Sequence, residues 1–283
     1  MFPVTGRRSG GEAPTSLATK ALTILASFTP ERPRLTLSEL ARESGLALTT
    51  THRVVGDLLA WGALERGSDG AYQIGLRLWE TASLAPRGTP LREVALPYME
   101  DLYEATHENV QLAVREDLEV VYVERLTGRG AVRVLTRVGG RFALHATGVG
   151  LVLLAHAPTD VQEEALAGPL RRWTDLTITD PARLRAVLAE VRRTGVAVSD
   201  RQVTVDALSV ACPVHGRGDR VLAALSVVVH ADTPVHAVRP AVQAAARGMS
   251  RALGAPSALR RPEGIRPRPS RPRSGRSGEE PPL

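Results

Sequence analysis

Four polar residues on one side of a helical repeat carry the clearest chemistry in this chain. Between Thr36 and Trp61 the positions Thr51, Val54, Val55, Leu58 and Leu59 recur at helical spacing. The opposite side presents Thr49, Thr50, His52, Arg53 and Gly56. Short hydroxyls, an imidazole and a guanidinium in one row are hydrogen-bonding groups suited to base edges and phosphate oxygens. Other chemistries are poorly served. No nucleophile is placed beside a base, no carboxylates pair, and Gly148-Val149-Gly150 is too short for a dinucleotide fingerprint. The histidines at 52, 107, 145, 156, 215, 230 and 236 lack tight ligand spacing, so no metal is expected. Cys212 lies in an apolar run beside Pro213, where a thiol is normally inert. No catalytic residue and no cofactor are expected.

The polar row needs a scaffold. Ahead of it, Leu37, Leu40 and Ala41 form a second apolar stripe. Thr36 and Glu39 have the spacing of a capping box, and Gly45 supplies the positive φ that ends a short helix. Two short helices about a glycine turn predict a helix-turn-helix, whose second helix buries one side and offers the other to a major groove. Alone, the pattern fits any two-helix hairpin in a core. The residues after Trp61 decide between the two: Ala63 to Arg66 and Ala71 to Ile74 flank Ser68-Asp69-Gly70, a hairpin signal. The hairpin makes the unit a winged helix, with Arg66 and Ser68 on the wing and Ser38 at the start of the first helix as further candidate DNA contacts. A helix opening at Ser16, with Leu17, Ala21, Leu22, Leu25 and Phe28 on one face and Pro30 and Pro33 beyond it, completes a three-helix core.

At this point the sequence resembles the IclR-type transcriptional regulators. The resemblance rests on LTLSELARESGL at 35–46, on Thr50 to Arg53, and on Tyr72-Gln73-Ile74-Gly75 closing the wing, and it extends over about residues 16–254. Arg77 and Leu78 then open what in that family is a linker helix contributing to dimer contacts. The fold class it implies is α+β: an N-terminal winged helix-turn-helix joined by a linker helix to a GAF-like effector-binding domain.

Composition agrees with two domains. The 283 residues are 43% hydrophobic and 23% charged, as in globular proteins. The net charge of +6 divides into +2 over 1–90, zero over 91–254 and +4 over 255–283, so the basic character belongs mainly to the end of the chain. The expected organisation is a disordered leader at 1–14, a DNA-binding domain at 15–77, a linker helix and effector domain at 78–254, and a Pro/Arg-rich disordered tail at 255–283. One cysteine precludes an intrachain disulfide and fits a reducing cytoplasm. No run approaches a membrane span, and the first residues lack the apolar segment of a signal peptide.

Within the second domain helices are expected at 76–85, 91–106, 148–154, 181–194 and 238–253, with a Pro-Gly hinge at 86–90. Strands are expected at 109–115, 118–125, 131–137, 196–199, 207–214 and 221–230. Three stretches match the family's ligand pocket. The first is the loop and helix start around Thr147, Gly148 and Val149, where backbone N–H groups reach an anion. The second runs from Ser199 and Asp200 to Ser209, and the third holds Ser226 and Val228. Asp206, Arg201, Gln202, Leu151 and Val228 depart from the family's usual residues and bear on which ligand is bound. The function implied is a sequence-specific regulator whose affinity for operator DNA responds to a small organic acid or related metabolite, working as a dimer or dimer of dimers. The alternatives are a constitutive regulator with a closed sensor pocket, or an enzyme with a DNA-docking head.

Overall fold

The computed structural model describes residues 16–85 and 88–259. The expected leader, Pro86-Arg87 of the expected hinge, and the tail beyond 259 lie outside the described residues. The head is built from α1 (Leu17–Leu25), α2 (Leu37–Ser44), α3 (Leu48–Trp61) and a hairpin of β1 (Leu64–Arg66) and β2 (Tyr72–Ile74). Ser16 caps α1, its side chain accepting from the Thr19 N–H. At α2 both halves of the capping box form: Thr36 N–H donates to Glu39 at 2.8 Å and Glu39 N–H to the Thr36 hydroxyl at 3.4 Å. Gly45 ends α2 at φ +69°, a conformation that costs a glycine little.

Ile24, Leu35, Leu40, Val54, Val55, Leu64 and Tyr72 close the head core. This corrects the expected face of α1. Ile24 is fully buried with Ala21, Leu25 and Phe28 against it, whereas Leu17 and Leu22 are exposed. Ile24 continues the Ala21 stripe at i+3, and Leu22 lies on the far side of the turn. Leu35 makes a single antiparallel bridge to Tyr72, tying the wing to the chain ahead of α2.

Helices α4 (Leu76–Ala82) and α5 (Thr89–Thr106) lead into a six-stranded antiparallel sheet. Its strands are β3 (Asn109–Glu116), β4 (Glu119–Leu126), β5 (Arg141–Ala143), β6 (Ala197–Asp200), β7 (Ala207–His215) and β8 (Val221–His230). Their spatial order is β5-β4-β3-β8-β7-β6. Strand alternation gives the sheet two apolar faces. Leu112, Val210, Leu225 and Val227 pack on α5 and α9 (Val235–Ala252) through Met99, Val242 and Met249. Ala113, Tyr122, Ala211 and Ala224 face α6 (Gly148–Ala155) and α8 (Pro181–Thr194), with α7 (Thr159–Ala167) laid against α8. Pro213 is tolerated inside β7 because β6 begins opposite Ala211, so no strand beyond that point needs its missing N–H.

Two expectations are corrected here. Residues 131–137 form no strand: they cross the sheet as an irregular strap whose backbone is held by side chains. The start of the expected tail is structured, with Ala255 fully buried and Pro256–Leu259 helical.

Candidate functional site

Two sites emerge, one on the head and one inside the sheet. On α3 the residues Thr51, Val54 and Val55 are buried, which turns Thr49, His52 and Arg53 to solvent with Thr50 half-buried at the margin. Ser38 is exposed in the first turn of α2, and Arg66 and Ser68 are exposed on the hairpin. The structure therefore brings every expected DNA contact to the surface of one small domain. The wing is braced. Asp69 Oδ1 accepts from the Arg34 guanidinium at 2.6 Å and from the Ala71 N–H at 3.2 Å, and Arg66 stacks over the Tyr72 ring at 5.6 Å. Arg34, absent from the sequence reading, is thus a positioning residue for the hairpin.

The second site is a cavity between the α6 start and the sheet. Thr147, Gly148 and Val149 line it from the helix, and Ser199, Ser209 and Val228 from the strands. The first-turn N–H groups of Gly148 and Val149 have no acceptor within the helix, so they are available to an anion. Thr147 caps the same turn, its hydroxyl accepting from Gly150 N–H at 3.0 Å. Small residues are required here. A Cβ on Gly148 would lie 2.6 Å from the Ser209 hydroxyl, and one on Gly150 would lie 2.2 Å from the Leu144 carbonyl oxygen.

Two expected pocket residues fall elsewhere. Asp200 is exposed and paired with Arg201 at 3.5 Å, because strand neighbours point to opposite faces and Ser199 already faces inward. Ser226 shares the pocket face, but it is fully buried between Gln111 and Ala211 in the register and does not line the cavity. Ser199 spends its hydroxyl on the Ala146 carbonyl at 2.7 Å, so it shapes the wall.

Several wall residues escaped the sequence reading: Gln111, Tyr122, Val134, Leu135 and Thr136; Gln202 to Thr204 and Ala207, which lie inside the expected stretch from Ser199 to Ser209, also line the cavity. Gln111 had a signal, a polar side chain in the otherwise apolar run Val110 to Val114. Burial pushes the Tyr122 phenol well above its ordinary range, with the Thr147 hydroxyl opposing the shift, so the phenol stays neutral and can donate. Among the described residues no charged side chain lines the cavity. An anion held there would rest on neutral donors at a helix start.

His145 flanks this loop. It is buried against Trp173 with ring centroids 5.5 Å apart, and Nε2 donates to the Arg171 carbonyl at 2.9 Å. Burial pulls its pKa below the ordinary 6.5, opposed by that hydrogen bond. Burial, and then the facing His156, do the same to His215. The unfolded chain therefore takes up protons that the folded chain refuses, and stability falls as pH drops below about 6.5. Thermal melts from about pH 7.5 to 5.5 are expected to show a falling Tm, with a smaller fall in His145→Gln. An unchanged slope in that variant contradicts the assignment.

Comparison with known proteins covers both sites. A family model described as the IclR helix-turn-helix domain matches residues 17–68, and one described as the C-terminal region of the bacterial transcriptional regulator IclR matches 85–254. The regulator BhcR of Paracoccus denitrificans is 33% identical over 76% of this chain and 80% of its own length. KipR of Bacillus subtilis is 31% identical over 74% and 83%. Among solved structures, an IclR homolog from Microbacterium hydrocarbonoxydans complexed with 4-hydroxybenzoate superposes with TM-score 0.82. It is 39% identical over 84% of this chain and 99% of that one.

Proposed function

The chain belongs to the IclR family of bacterial transcriptional regulators, and from that membership we propose how its parts divide the work. The protein is a DNA-binding transcriptional regulator whose operator affinity is modulated by a small-molecule effector. Thr49, Thr50, His52 and Arg53 read base edges from the major groove, while Ser38, Arg66 and Ser68 position the head on phosphates. Thr147, Gly148, Val149, Ser209, Tyr122 and Gln111 receive the effector.

The observation that carries the effector reading is the cavity at the α6 start. It offers unpaired backbone N–H groups at one end and neutral hydroxyl and amide groups around an apolar middle. That arrangement suits a flat monocarboxylate with a polar far end, and the relative solved with 4-hydroxybenzoate fits the same description. The test is calorimetry on the full chain with 4-hydroxybenzoate and with its amide. Binding of the acid at least about tenfold tighter than the amide is expected, since the charged acceptor gains more from the helix start. Equal affinities contradict the anion site, and binding of neither favours a regulator whose pocket has closed.

Self-association draws on α4 and the segment after it. Leu76 and Trp79 are 62% and 65% exposed and Leu84 is 79% exposed, an apolar surface that a second copy would cover. A dimer or dimer of dimers also supplies the second half-site that specificity in a genome needs. We read the protein as a non-enzymatic, cytoplasmic regulator. Its relatives are transcription regulators, and among the described residues no helix is long and apolar enough to cross a membrane.

A further inference from the structure

The strap over the sheet, residues 127–140, touches both the effector cavity and the DNA-binding head. Val134, Leu135 and Thr136 form the roof of the effector cavity. The next residue, Arg137, lines a groove against the head, facing Phe28, Pro30, Pro33 and Arg34 ahead of α2 and Gln73 and Ile74 of the wing strand. One peptide step, about 3.8 Å, separates the roof of the cavity from the groove on the head.

The strap is held in an unusual way. Its backbone joins no sheet ladder between 131 and 137. Side chains rising from the pocket floor grip it instead. Asn109 Nδ2 donates to the Val132 carbonyl at 2.8 Å, Gln111 Nε2 to the Thr136 hydroxyl at 2.6 Å, and the Arg125 guanidinium to the Thr136 carbonyl. Asn109 Oδ1 and Arg125 Nε are buried with no partner among the described residues, so the grip leaves polar groups unmatched. The cavity below has about 50 Å³ of water-accessible space, room for about four waters. Its floor is a paired sheet and its back wall is a packed helix. A ligand of ten or so heavy atoms exceeds that space, and the roof is the wall that no backbone ladder holds in place, so it is the wall that can yield.

We propose that the strap is the coupling element of this regulator: occupancy of the cavity displaces Val134 to Thr136, and Arg137 carries that displacement to the head. This rests on the reading of the cavity as the effector site. Arg137 is the coupling residue, and Gln111 and Arg125 are positioning residues that set the strap's resting place. The contact with the head is electrostatic as well as steric. Glu31 has its carboxyl held below the usual range by its own backbone N–H and the Thr29 hydroxyl first, and by the Arg137 charge in addition. A ligand regulates only through unequal affinity for two arrangements, and a strap gripped by side chains can take two where a laddered strand takes one.

The test separates binding from response. Operator duplexes are selected from a random pool by the wild-type chain, and affinity is read by fluorescence anisotropy with and without 4-hydroxybenzoate. Arg137→Ala is expected to bind 4-hydroxybenzoate within about twofold of wild type by calorimetry, while the ligand's effect on operator affinity falls from fivefold or more to below about twofold. Arg137→Lys is expected to restore part of the response. Full response in Arg137→Ala overturns the proposal. If wild type does not bind 4-hydroxybenzoate, the ligand assignment fails by itself and the coupling is decided without ligand. Val228→Phe pushes on the roof from below, with Ala207→Leu as the second filling variant if the first does not fold. A shift in operator affinity of about threefold or more that vanishes when Arg137→Ala is added supports the strap. No shift, or the same shift in both backgrounds, overturns it.

Discussion

Replacing Gly148 by valine is expected to abolish effector binding, with affinity falling by a hundredfold or more. The Cβ alone would stand 2.6 Å from the Ser209 hydroxyl, 3.2 Å from its Cβ and 3.3 Å from Ala211. The branched side chain then fills the mouth of the helix start, so the N–H groups of Gly148 and Val149 no longer reach a ligand. Two hydrogen bonds to a charged group are worth about 1.5–3 kcal/mol each. At about 1.4 kcal/mol per tenfold, their loss gives at least the hundredfold quoted. Calorimetry with 4-hydroxybenzoate reads the effect, and a melt of the same sample shows whether the domain is intact. Pairing Gly148→Ala with Ser209→Gly removes the two nearest atoms and is expected to recover folding. Retained binding in Gly148→Val contradicts the placement of the carboxylate at this helix start.

The second large effect belongs to the head. Arg53→Ala is expected to weaken operator binding by about 1–3 kcal/mol, between roughly fivefold and 150-fold, if the guanidinium grips a guanine edge with two hydrogen bonds. Arg53 is exposed on the side of α3 opposite Val54 and Val55, and α3 is braced by the head core, so the substitution removes a contact without disturbing packing. Selection from a random pool distinguishes the roles of this residue. A base contact relaxes preference at one position of the selected site, whereas a phosphate contact lowers affinity for all duplexes alike and flattens the salt dependence. Unchanged affinity for both operator and random DNA removes Arg53 from the interface.

The head was legible because its signals are local. A capping box, a positive-φ glycine and an Asp-Gly turn each act within four residues, and each formed as read. The face of α1 was misread because Leu17 and Leu22 are as apolar as Ile24, and only packing against α3 decides which side is buried. The strap shows a different failure. Ala131 to Leu135 has the composition of a strand, but a strand needs a neighbouring backbone, and here side chains from β3 and β4 take that place.

In the pocket, the Thr147 loop was singled out by its likeness to the family's ligand-pocket stretch, and the structure puts Thr147, Gly148 and Val149 on the wall of one cavity. Facing was not fully read. Asp200 follows Ser199 on one strand, so both cannot point into one cavity, and the alternation alone would have excluded one of them. Ser226 depended on register. It lies opposite Gln111 and Ala211, deeper than Val228, and no local pattern reveals that depth. Gln111 and Thr136 come from segments distant in the chain and meet only through the fold.

The central claim is that this chain binds a particular DNA sequence and that a small carboxylate changes that binding. The most direct measurement is an anisotropy titration of the full chain onto its selected operator and onto a scrambled duplex, at one fixed salt concentration, with and without saturating 4-hydroxybenzoate. The account predicts operator binding at least about a thousandfold tighter than scrambled binding, and a ligand-dependent change of fivefold or more on the operator alone. Equal affinity for the two duplexes, or an operator curve that the bound ligand leaves in place, contradicts it.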